Sequence, residues 1–119
     1  MLRNMLRAKI QRPRITASNL NYEGSVTIDS TLMEAAGILP YEKVHVLNIS
    51  NGTRAETYVI KGKRDSGEIV MNGAIARLGQ VGDPLIILSY GLVEEKEASM
   101  STPIVVLVDE NNRIVQVRS

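Results

Sequence analysis

Residues 43–62 have the sequence KVHVLNISNGTRAETYVIKG, in which two alternating apolar runs flank Asn51-Gly52. Asn-Gly between two such runs indicates a β-hairpin, because both residues tolerate the positive φ angles of a tight turn. Side chains alternate between the two faces of a strand. We therefore expect Arg54 and Tyr58 to share one face of the returning strand and Thr57 to lie on the other.

Further short strands are predicted on both sides of this hairpin. Residues 8–16 (AKIQRPRIT) alternate with period two, and residues 26–29 (VTID) form another short run. Residues 83–91 (DPLIILSYG) predict an apolar strand, and residues 103–117 (PIVVLVDENNRIVQV) predict a last pair of strands about the DENN turn.

The first of these strands has polar residues on one face and apolar residues on the other. Its alternation places Lys9 and Gln11 on one side and Ala8 and Ile10 on the other. Pro13 cannot donate a hydrogen bond to a neighbouring strand, so we expect an edge or a bulge there.

Residues 30–40 (STLMEAAGILP) predict the only clear helix. Thr31 and Glu34 have the spacing of a capping box, and Gly37 and Pro40 are typical helix-ending residues. With so many short strands and one helix, the chain is expected to be a single domain, a closed β-barrel with small helical insertions.

Two shorter segments complete the predicted insertions. A second Asn-Gly pair, residues 72–73, precedes a stretch long enough for one helical turn. Residues 94–100 (EEKEASM) are charged and predict a loop or a short helix.

Composition excludes several kinds of site. The 119 residues include no cysteine, which excludes disulfides and thiol catalysis and fits a cytoplasmic protein. The single histidine, His45, lies in an apolar run, where we expect a plain strand position rather than a catalytic role. No apolar run approaches the roughly 20 residues that span a bilayer, so no membrane association is expected.

Charge is nearly balanced over the whole chain but not at its start. The net charge is +1, yet residues 1–14 carry five cations and no acid. Such a strand can be a solvated edge or can meet nucleic acid or a small anion. With no Phe or Trp and only four Tyr, the chain lacks a base-stacking platform, so nucleic acid is not the expected partner.

Residues 19–29 (NLNYEGSVTID) place Glu23-Gly24-Ser25 between two predicted strands. Gly and Ser are ordinary turn residues, so these residues alone predict a turn. The alternative is a peptide bond that is meant to break.

Several motifs together resemble the bacterial aspartate 1-decarboxylases over about residues 3–115. The most specific are Tyr22-x-Gly24-Ser25, Asn51-Gly52-x-Arg54-x-x-Thr57-Tyr58 and Asn72-Gly73-Ala74. The resemblance implies a six-stranded double-psi β-barrel, a cytoplasmic homotetramer with sites at subunit interfaces, and a lyase of pantothenate biosynthesis.

The resemblance also implies that the chain is a zymogen. Autocatalytic cleavage between Gly24 and Ser25 would yield a β chain, residues 1–24, and an α chain, residues 25–119, with Ser25 converted to a covalent pyruvoyl group. Glycine allows an unhindered, strained approach to its carbonyl. The Thr57 hydroxyl is implied as the donor to the oxyanion; the alternative is a β-branched residue that fills a strand.

The implied reaction is decarboxylation of L-aspartate to β-alanine through a Schiff base with the pyruvoyl group, without metal or pyridoxal phosphate. Tyr58 is the implied proton donor. Lys9 and Arg54 are the implied carboxylate-binding cations. Each of these residues has a simpler alternative, as a strand aromatic or as solvated charge.

The remaining implied contacts to the substrate or the pyruvoyl group come from Thr57 and from Asn72, Gly73 and Ala74. Tyr22 and Gln11 are weaker pocket candidates.

The chain departs from the family pattern at two positions. Gln11 stands where the family usually has histidine, and Ile75 stands where it usually has alanine. Two non-catalytic alternatives stay open: a β-barrel nucleic-acid-binding or regulatory module, and a relative that has lost processing. The sequence does not indicate whether a maturation helper is needed.

Overall fold

The computed structural model describes all residues from 1 to 119 and contains nine strands and three short helices. The strands are β1 (Leu2–Arg14), β2 (Ala17–Asn19), β3 (Ser25–Asp29), β4 (Lys43–Asn48), β5 (Arg54–Gly62), β6 (Ile69–Asn72), β7 (Pro84–Glu94), β8 (Ile104–Val108) and β9 (Ile114–Arg118). The helices are α1 (Ser30–Ala36), α2 (Glu95–Ala98) and a 3₁₀ helix (Gly73–Leu78). No helix has the length and apolar character needed to cross a membrane.

The strands pair in the order β2-β6-β3-β5-β4-β7-β1-β8-β9. Three of the pairs are parallel, β1 with β8, β2 with β6 and β3 with β5, and the others are antiparallel. The prediction of a mainly β fold with short helical insertions is confirmed. Strands β1 and β3–β7 supply most of the buried strand residues, and their closure into a double-psi barrel stays a prediction.

The core follows from the alternation of side chains along the strands. On β1, Ala8 and Ile10 are fully buried, whereas Lys9 and Gln11 are partly exposed on the other face, as predicted. The pairing of β1 with β7 shifts register between Gln11 and Arg14, and Arg12 has φ of 68°. The bulge predicted at Pro13 is therefore confirmed.

Helix α1 begins differently from the prediction. Asp29, not Thr31, is the N-cap, and its carboxylate accepts a hydrogen bond from the Thr31 backbone N–H at 2.8 Å. The capping box is wrong because the Thr31 hydroxyl binds Asp65 at 2.7 Å and Glu34 pairs with Arg64. The predicted end is confirmed, since Gly37 adopts the left-handed conformation at the C-cap.

The β4–β5 hairpin forms as predicted, with a loop at residues 49–53. Asn51 accepts hydrogen bonds from the backbone N–H and the hydroxyl of Thr53, and Gly52 has φ of 75°. The Asn51 amide also donates to the carbonyl of Leu78 at 2.8 Å. The hairpin is thereby attached to the end of the 3₁₀ helix, which starts at the second Asn-Gly pair.

Candidate active site

Ser25 is the first residue of β3 and is completely buried, although Gly24 before it is exposed. The Asn72 side-chain amide donates to Ser25 Oγ at 3.0 Å and to Thr27 Oγ1 at 3.0 Å. The Ser25 hydroxyl in turn donates to the carbonyl of Glu23 at 3.3 Å. Because Ser25 and Asn72 are direct partners in the β3–β6 ladder, the strands themselves hold this hydroxyl in place.

Gly73 lies directly against Gly24. A Cβ at position 73 would be 2.7 Å from Gly24 Cα and 2.8 Å from Gly24 N, and Gly73 has φ of 68°. Both the contact distance and the backbone conformation exclude a side chain at this position. The 3₁₀ helix thus starts in contact with the Gly24-Ser25 bond, with Ala74 exposed beside it.

Thr57 and Tyr58 lie on β5, the parallel neighbour of β3. Val26 pairs with Val59, and both are buried in the core. Continuing this register toward the start of both strands brings Thr57 level with Gly24 and Tyr58 level with Ser25. By alternation, Tyr58 shares the face of Ser25, whereas Thr57 faces the core side with Val59.

Lys9 and Arg54 lie at a distance from Ser25, on the outer face of the sheet that also carries Tyr58, as the alternation along β5 predicted. Cross-strand partners connect Lys9 through Leu88 to His45, and Gln11 through Ile86 and Leu47 to Arg54. Each set of partners forms a row across the sheet. The two rows are two residues apart along each strand, so their side chains lie on the same outer face. The hydrogen bonds of Ser25 involve neither cation, and Arg54 lies about 13 Å along β5 from Tyr58.

The structure therefore brings together only part of the predicted site. Ser25, Gly24, Asn72 and Gly73 are in mutual contact, and Thr57 and Tyr58 lie on the adjacent strand. Lys9 and Arg54 are separate from this group.

A model of the aspartate decarboxylase family matches residues 1–115. The chain belongs to this family. It is 56% identical to the aspartate 1-decarboxylase of Carboxydothermus hydrogenoformans over 99% of this chain and 93% of that protein. It is 58% identical to the aspartate 1-decarboxylases of Pelotomaculum thermopropionicum, over 99% of this chain and 89% of that protein, and of Caldicellulosiruptor saccharolyticus, over 98% and 91%. The resemblance inferred from the motifs, and with it the prediction of a decarboxylase, is confirmed.

The predicted basic surface on the first strand is partly neutralised in this family member. Arg3 pairs with Glu95 at 2.5 Å, and Arg7 pairs with Glu42 at 2.5 Å. Lys9 makes no salt bridge. Its role as a carboxylate-binding cation stays a prediction.

Tyr41 is a neighbour of the site that the sequence did not indicate. Its ring lies 6.5 Å from the ring of Tyr58, measured between centroids, at 31°. Its backbone N–H donates to the Val59 carbonyl at 2.7 Å, and the Val59 N–H donates to the Glu42 carbonyl at 3.1 Å. Residues 41–42 therefore continue the pairing along β5 and place an aromatic ring against Tyr58. In the sequence, Tyr41 is marked only by its position directly after Pro40, which does not predict a contact with Tyr58.

Glu42 anchors this segment to the barrel. Its carboxylate accepts hydrogen bonds from the Ser89 hydroxyl, the Leu39 N–H at 3.1 Å and Arg7 at 2.5 Å. Burial by itself raises the pKa of Glu42, but the hydrogen bonds from Ser89 and Leu39 and the charge of Arg7 outweigh it and lower the pKa. The anchor is therefore an ionised carboxylate at neutral pH.

The weaker candidates and the departures from the family pattern have different surroundings. Tyr22 is half-exposed, although its carbonyl approaches Gly73. Gln11 is partly exposed on the outer face, in the same row as Arg54. Ile75 is buried in the main hydrophobic cluster, so its larger side chain is accommodated by the core.

Proposed function

We propose that the chain cleaves itself between Gly24 and Ser25 and then decarboxylates L-aspartate to β-alanine and carbon dioxide, as a step in pantothenate biosynthesis. Family membership supports the decarboxylation. The observation that supports the cleavage is the buried Ser25 hydroxyl, held by Asn72, next to a Gly24 that packs on Gly73.

The proposed cleavage begins when Ser25 Oγ attacks the carbonyl carbon of Gly24 and transfers the acyl group from nitrogen to oxygen. Elimination then breaks the bond between Ser25 Cβ and this oxygen, leaving the Gly24 carboxylate at the end of the first chain. The dehydroalanine that remains at position 25 takes up water and loses ammonia, which leaves a pyruvoyl group. Thr57, level with Gly24, is proposed to donate to the oxyanion of the first step.

The residues around Ser25 fit such a group. Ser25 is buried, Asn72 offers an amide donor to the oxygen at the end of its side chain, and Gly73 packs directly on Gly24. When present, the pyruvoyl group supplies a ketone that bonds to the substrate amine and accepts the electrons released with carbon dioxide.

Tyr58 is proposed to return a proton to the α-carbon of the substrate. It lies on the face of β3 and β5 that carries Ser25, and a phenol is protonated at neutral pH and can act as a general acid. The ring of Tyr41 lies beside it, with 6.5 Å between the ring centroids.

Arg54 and Lys9 are proposed to bind the substrate carboxylates, the firmer contact being with the side-chain carboxylate that survives the reaction. Ion-pairing the departing carboxylate would stabilise the ground state and slow its loss. Because both cations lie away from Ser25 in one chain, we propose that they serve the Ser25 of a neighbouring copy in a homotetramer with interface sites. The cytoplasmic location stays a prediction.

Denaturing mass spectrometry of the purified protein tests the cleavage. We expect two chains, residues 1–24 and 25–119, with the second lighter by one ammonia than a chain that starts with serine. Incubation with L-aspartate should yield β-alanine. A single intact chain without activity would contradict the proposal and favour a non-catalytic relative.

A further inference from the structure

His45 has a fixed orientation on β4. Its ring meets the ring of Tyr90 edge-on, with centroids 5.1 Å apart, and only 22% of its side chain is exposed. Nε2 lies 3.4 Å from Glu56 Oε1, and Nδ1 lies 3.4 Å from Arg54 Nη1 on the other side of the ring. The imidazole therefore lies between the two β5 side chains that share its face.

The hydrogen-bonding groups of Arg54 and Glu56 indicate which nitrogen of the His45 ring accepts and which donates. A guanidinium has donors only, so Nδ1 must be the acceptor in the contact with Arg54. Nε2 then carries the hydrogen and donates to Glu56, which also accepts from Lys43 at 3.3 Å. In this arrangement the acid lies behind the imidazole rather than against Arg54.

Arg54 has no other side-chain partner and forms no salt bridge. A carboxylate in the place of His45 would neutralise the guanidinium and compete with an incoming anion. An imidazole acceptor restricts the rotamers of Arg54 and adds no negative charge beside the guanidinium.

We propose that His45 is a positioning residue that orients Arg54 for a substrate carboxylate. The inference rests on the proposed function, because the binding of a carboxylate by Arg54 is itself proposed. His45 then acts on substrate affinity through Arg54. It has no part in self-cleavage, since none of its contacts reaches Ser25 or Asn72.

Two substitutions separate the roles of the ring nitrogens. The amide of asparagine can occupy the position of Nδ1, whereas the longer glutamine places its amide near the position of Nε2. His45→Asn should keep an acceptor for Arg54 and leave the KM for L-aspartate within about twofold of wild type. His45→Gln should raise KM about three- to tenfold, the effect of losing one hydrogen bond, with kcat and the extent of self-cleavage unchanged.

Lys43→Gln serves as the control, because it removes a neighbouring charge that contacts Glu56 but neither His45 nor Arg54. Its KM should stay within about twofold of wild type. Equal KM values for His45→Gln and wild type would overturn the inference, as would a fall in kcat or in self-cleavage without a change in KM.

Arg54→Lys, measured alongside, separates the proposed role of His45 from the proposed carboxylate binding by Arg54. If it raises KM while His45→Gln does not, only the role of His45 is wrong. If it leaves KM unchanged, the carboxylate-binding role of Arg54 is wrong and the inference falls with it. In the double variant Arg54→Lys/His45→Gln, KM should rise by less than the product of the two single effects.

Discussion

Ser25 and Arg54 lie in regions built in opposite ways. Ser25 is completely buried and is held by Asn72 of the same chain, and Gly24 before it packs on Gly73. Arg54 is exposed on the outer face, and His45 is its only side-chain partner. The contacts of the first region all come from one chain, whereas the second is exposed and its guanidinium forms no salt bridge.

The difference corresponds to two different chemical requirements. Attack of a side chain on its own backbone needs a geometry that is fixed before any substrate arrives, and close packing supplies it. Binding of a small dicarboxylate needs access from solvent and uncompensated positive charge. The proposed site thus combines an internal region with an outer face that a neighbouring copy presents.

The largest expected effect is that of Ser25→Ala in the internal region. Without the hydroxyl there is no nucleophile for the Gly24 carbonyl, so both cleavage and activity should be abolished. Ser101→Ala, at an exposed serine outside the strands, should cleave and act like wild type. Two chains from Ser25→Ala on a denaturing gel would show that the wrong peptide bond has been assigned.

Thr57→Val should slow cleavage by about a hundredfold to a thousandfold, the usual cost of losing one oxyanion donor. The rate is measured from the decay of the intact chain in a purified precursor. Thr27→Val is the matched control, since its hydroxyl accepts from Asn72 but lies beyond Ser25 on β3, and it should slow cleavage by less than about tenfold. Cleavage of Thr57→Val at the wild-type rate would mean that Thr57 takes no part in self-cleavage.

Tyr58→Phe should cleave fully and then turn over L-aspartate about a hundredfold more slowly, because a general acid acts only after the substrate is bound. The comparison of cleavage by mass spectrometry with kcat separates the two stages. Unchanged kcat in the fully cleaved variant would mean that another group or water delivers the proton.

Co-expression of Ser25→Ala chains with Arg54→Ala chains tests whether the two regions come from different copies. Each variant alone should have little activity, but mixed tetramers should recover up to about a quarter of wild-type activity if chains combine at random. Failure to recover activity, in mixed tetramers verified by native mass spectrometry, would place Ser25 and Arg54 in one chain's own site.

The smallest expected effect concerns the stability of the Tyr41 segment beside the internal region. Because folding lowers the pKa of Glu42, its stabilising contribution is present above the ordinary glutamate pKa, about 4.3, and is lost as pH falls through the lowered value. Glu42→Gln should therefore lower Tm by a few degrees at pH 7, and the difference should shrink at about pH 3.

Glu34→Gln is the control for this measurement, because its pair with Arg64 is largely exposed and contributes little. Its Tm at pH 7 should differ from wild type by less than that of Glu42→Gln. A Glu42→Gln deficit that is independent of pH would assign the effect to lost packing instead of lost charge.

Most of the local structure could be predicted from the sequence. The hairpin about Asn51-Gly52, the turn of helix after Asn72-Gly73 and the bulge at Pro13 all formed where short-range patterns indicated. The predicted helix cap was wrong because the cap depends on a distant loop: the backbone N–H groups of Asp65 and Gly67 also donate to the Asp29 carboxylate.

By itself the sequence determined the alternation of the strands, the turn glycines and the motifs that place the chain in its family, because each depends on residues that are near in the chain. Only the tertiary structure decided that Asn72 holds Ser25 from 47 positions away, that Tyr41 packs on Tyr58, and that His45 lies against Arg54. The physical reason is that these contacts depend on strand order and register, which are set by how the whole core packs and not by any local pattern.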